Sequence, residues 1–68
     1  MNDDVLNVSV RKFLKKVGIT SQREIEKAVR EALTAGRIMG HEKLQAKMVL
    51  TVGGINLRHE VDDAIELG

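Results

Sequence analysis

Few side chains in this 68-residue chain are suited to chemistry, and their spacing decides what they can do together. Both histidines stand beside an acid, in His41-Glu42 and His59-Glu60. Neighbours in an extended strand point to opposite faces, so neither pair makes a site by itself. In the strand register derived below His41 comes near Glu66, a conceivable metal pair, but no third ligand accompanies it and no cysteine can supply one. Ser9 and Ser21 belong to no nucleophile motif, and Ser21 reads as a helix cap. Asp62-Asp63 reads as a bulge or turn. The segment from Gly36 to Gly40 lacks the Lys-Ser/Thr ending of a phosphate loop, and Gly53-Gly54 reads as a hairpin turn. No catalytic, cofactor-binding or metal-binding residues are expected, and the chain is read as a non-enzyme.

What remains is charge. The net charge of +1 conceals an asymmetry. Residues 1–37 carry eight Lys/Arg against five Asp/Glu, and residues 38–68 carry three against five. Arg11, Lys12, Lys15, Lys16 and Arg23 lie in a stretch without an acid. Together with Lys27 and Arg30 they form the candidate interaction surface, suited to phosphates or to an acidic protein face.

Two helices are predicted to carry those residues. Asn2, Asp3 and Asp4 supply a cap and first-turn negative charge, and Leu6, Val10, Phe13, Leu14 and Val17 share one face opposite Arg11, Lys12, Lys15 and Lys16. Gly18 is expected to close this helix in the left-handed conformation, and Ser21-x-x-Glu24 matches a capping box that opens the next. The second helix, roughly Gln22 to Ala35, places Ile25, Ala28, Val29, Ala32 and Leu33 on one face and Glu26 four residues before Arg30, and Gly36 ends it.

From Leu44 the period changes to two, with Leu44, Ala46, Met48, Leu50 and Val52 on one side and Gln45, Lys47, Val49 and Thr51 on the other. A two-residue turn at Gly53-Gly54 sets Leu50 against Leu57, Met48 against His59, Ala46 against Val61 and, on the other face, Lys47 against Glu60. Ala64 to Leu67 either continues the second strand past a bulge or turns back as a short third strand. The expected fold is therefore α+β, a single domain over residues 1–68 in the order ααββ. Two N-terminal helices pack on a C-terminal antiparallel hairpin, with Phe13, the one aromatic residue, buried between them.

The run N-D-D-V-L-N-V-S-V-R-K-F-L-K-K-V-G-I-T-S-Q-R-E-I-E-K-A-V-R from Asn2 to Arg30, with L-x-A-K-M-x-L from Leu44 to Leu50, resembles a family of short bacterial proteins of unknown function. Its most specific part is V-G-I-T-S-Q-R-E-I-E at Val17 to Glu26. The resemblance implies a small bacterial protein with a helix-helix-hairpin plan and brings no activity with it.

The functional expectation is a cytoplasmic protein-interaction or regulatory module with an unknown protein partner. Absence of cysteine, of a basic leader and of any apolar run near the ~20 residues a bilayer needs all agree with that compartment and with no membrane association. The alternative is nucleic-acid binding through a helix-turn-helix-like pair with a basic first helix, against which Glu24, Glu26 and Glu31 interleave with Arg23, Lys27 and Arg30. Monomer is placed slightly ahead of a homodimer, because charged residues along the strands discourage edge pairing and the helices are expected to cover the hairpin's apolar face.

Overall fold

Asn2 starts a helix as its position predicts. Its side-chain oxygen accepts the backbone N–H groups of Asp4 at 3.0 Å and Val5 at 3.1 Å, and Asp3 and Asp4 fill the first turn. In the computed structural model, which describes residues 1–68, this helix (α1) runs from Asp3 to Thr34 without a break. The two predicted helices are one.

The reason lies at Gly18. Glycine inside a helix costs roughly 1 kcal/mol relative to alanine, but it ends one only where the backbone turns left-handed. Gly36, Gly40 and Gly54 have positive φ and Gly18 does not. Across the expected break the Thr20 hydroxyl donates to the Lys16 carbonyl at 2.8 Å, the back-bond typical of threonine within a helix. Ser21 and Glu24 consequently sit in mid-helix, where the N–H groups they would cap are held by the preceding turn. The true stop is Gly36, at φ +75°. Its N–H bonds the Leu33 carbonyl at 3.1 Å and the Arg37 N–H bonds the Ala32 carbonyl at 2.9 Å, the paired closure of a Schellman motif.

An unbroken helix joins the two predicted apolar faces. Eleven residues make almost three turns, so Leu6, Val17 and Ala28 stand in line, as do Val10, Ser21 and Ala32, and Leu14 and Ile25. None of the helix residues is buried. Phe13, expected in the core, is 50% exposed.

The second unit, Ile38–Gly68, is a hairpin of β1 (Lys43–Val52) and β2 (Leu57–Glu66). The turn is longer than predicted, occupying Gly53 to Asn56, with Gly54 at φ +86° and Asn56 at φ +52°. A two-residue type I′ turn needs positive φ at both glycines, and Gly53 does not adopt it. Two extra loop residues shift the register by two. Leu50 therefore faces His59, Met48 faces Val61, Ala46 faces Asp63 and Val52 faces Leu57. A shift of two leaves every side chain on its predicted face, where a shift of one would have reversed them all. Pairing continues without a bulge through Lys43 and Glu66, and the Leu67 N–H bonds the Glu42 carbonyl at 3.1 Å. Ala64 to Leu67 therefore extend the second strand, with no third strand.

No residue of the chain is fully buried, so neither unit encloses a core of its own.

Candidate interaction surface

The single helix redistributes the seven basic residues. Lys12, Lys16, Arg23, Lys27 and Arg30 recur at intervals that keep them on one side of α1, a stripe about 27 Å long at 1.5 Å per residue. Arg11 and Lys15 lie to one side of it. All seven are exposed, and Arg30 alone has an acidic partner, Glu26 at 3.9 Å, which also accepts from the Gln22 amide at 3.0 Å. Glu24 and Glu31 fall among the apolar residues, in line with Leu6 and Phe13 respectively. The interleaving of acids expected from the order of the sequence is thus largely resolved by the helical period, leaving Glu26 as the one carboxylate beside the stripe. The helix-turn-helix itself is absent, because no turn separates two helices.

Opposite the basic stripe runs the apolar one. Leu6, Val10, Phe13 and Leu14 are between 45% and 50% exposed, and Val17, Ser21, Val29 and Ala32 are half-buried. The predicted stripes on either side of Gly18 differ in phase by about a quarter turn: Ala28 and Ala32 continue the line of Leu6, Val10 and Val17, while Val29 and Leu33 lie in line with Arg11 and Lys15.

The hairpin gathers its strand charges on one face, except Asp63, which faces Ala46 on the other. Lys43 pairs with Glu66 at 3.6 Å, and Glu60 receives both Lys47, at 3.2 Å, and Arg58. Lys47 faces Asp62 across the strands and reaches Glu60 diagonally, so the expected ion pair forms in the shifted register. His41 does not meet Glu66, which is taken up by Lys43. No group of three His, Asp or Glu side chains is placed to hold a metal ion. A shallow open depression lined by Arg30, Glu31, Thr34 and Ala35 brings together no nucleophile and base. No helix is long and apolar enough to cross a membrane.

Sequence reasoning missed Glu42. Its carboxylate accepts three backbone N–H groups, from Met39 at 2.7 Å, Gly40 at 2.8 Å and His41 at 3.1 Å, and so closes the turn that leads into β1. The Met39 N–H does most to hold its pKa down, at about 2; desolvation opposes it, and the N–H groups of Gly40, Glu42 and His41 add to it. These donors are already occupied, so the turn is a structural clasp rather than an anion site. The pH dependence follows in sign. A carboxylate depressed in the folded state contributes stability above its ordinary value of 4.5, and the contribution is lost as pH falls towards 2. The amide resonances of Met39 and Gly40 are expected to titrate with a midpoint near 2. A midpoint near 4.5 would mean that the clasp does not form.

A family model described as "Family of unknown function (DUF6494)" matches residues 1–68 of the chain. No curated protein and no solved structure matches the chain.

Proposed function

We propose that this chain, which belongs to the DUF6494 family, is a non-enzymatic protein-interaction module of the bacterial cytoplasm, with the apolar stripe of α1 as its contact face. One observation carries the reading: a helix of 32 residues presents an apolar stripe, broken in its C-terminal half by Glu24 and Glu31, and none of its residues is buried. Isolated helices are marginal in water, and helical stability in proteins comes mainly from packing such a face. A regulatory role would follow from occupancy of that face. The reading as a non-enzyme draws on the separation of the histidines and on serines without a base.

The immobilised full chain should retain a protein from bacterial lysate in the presence of nuclease. Val17→Glu, which charges the middle of the stripe, should lose it. Ile19→Glu, on the opposite side of the helix, should keep it. Equal retention by all three would place the contact elsewhere.

The continuous basic stripe favours a second reading, contact with a nucleic-acid backbone. Such contact would be electrostatic and independent of sequence, because the chain offers no second helix to read base edges. Duplex DNA is expected to bind no tighter than the non-specific range of roughly 10⁻⁴ to 10⁻⁶ M at physiological salt, measured by fluorescence anisotropy. A nanomolar, sequence-dependent complex lost on replacing Arg23, Lys27 and Arg30 would displace the protein-partner reading.

A further inference from the structure

We draw no further inference here: the strongest candidate, the apolar stripe that Leu6, Val10, Phe13, Leu14 and Val17 form on α1, is the contact face already proposed, and nothing in the structure shows what covers it.

Discussion

Val17→Glu is expected to weaken capture of a protein partner by at least about tenfold. Burying a valine contributes roughly 1.5 kcal/mol or more, an unpaired carboxylate in an apolar contact adds a further cost, and each 1.4 kcal/mol is a factor of ten. Ile19→Glu provides the control, since Ile19 is 50% exposed and lies on the far side of the helix beside Lys12 and Arg23. The amount of protein retained by each immobilised variant compares the faces directly. Equal weakening would show that added negative charge, not the stripe, controls capture.

The same substitution at two glycines of the helix is expected to act with opposite signs. Gly18→Ala should stabilise by about 1 kcal/mol, because the position is helical, its φ is not positive, and an added Cβ meets nothing within 4 Å. Gly36→Ala should destabilise by about 1 kcal/mol or more, although it too has open space, because its φ of +75° places an alanine in the left-handed region. Urea denaturation followed by circular dichroism separates them. Destabilisation by Gly18→Ala would restore the two-helix arrangement, in which Gly18 closes the first helix.

That pair of residues also shows what can be read from the chain. Gly36 and Gly18 look alike in sequence, each following an amphipathic run, and only one ends a helix. At Gly36 the helix has lost its apolar period and two backbone bonds close the end. At Gly18 the φ stays out of the left-handed region and the Thr20 hydroxyl bonds back to the Lys16 carbonyl, so one glycine costs roughly 1 kcal/mol without ending the helix. Ser21-x-x-Glu24 misled for a related reason: a capping box has meaning only where N–H groups are free. Local signals with one conformational solution were legible, including the Asn2 cap, the Glu26–Arg30 spacing and the alternation of both strands. Turn length was not. Gly53-Gly54 admits a two-residue loop and a four-residue loop of equal parity, and both keep the apolar side chains on one face. The basic residues are visible in the sequence, but their arrangement as one stripe of five with Arg11 and Lys15 outside it depends on the continuity of α1. Glu42 carried no signal, because its partners are backbone groups whose positions the residue types do not reveal.

The central claim, that the apolar stripe of α1 is a contact face for another protein, is tested most directly by comparing capture from bacterial lysate, with nuclease present, by the full chain, Val17→Glu and Ile19→Glu. Loss of the captured protein with Val17→Glu alone is the predicted result, and equal retention by all three would contradict the claim.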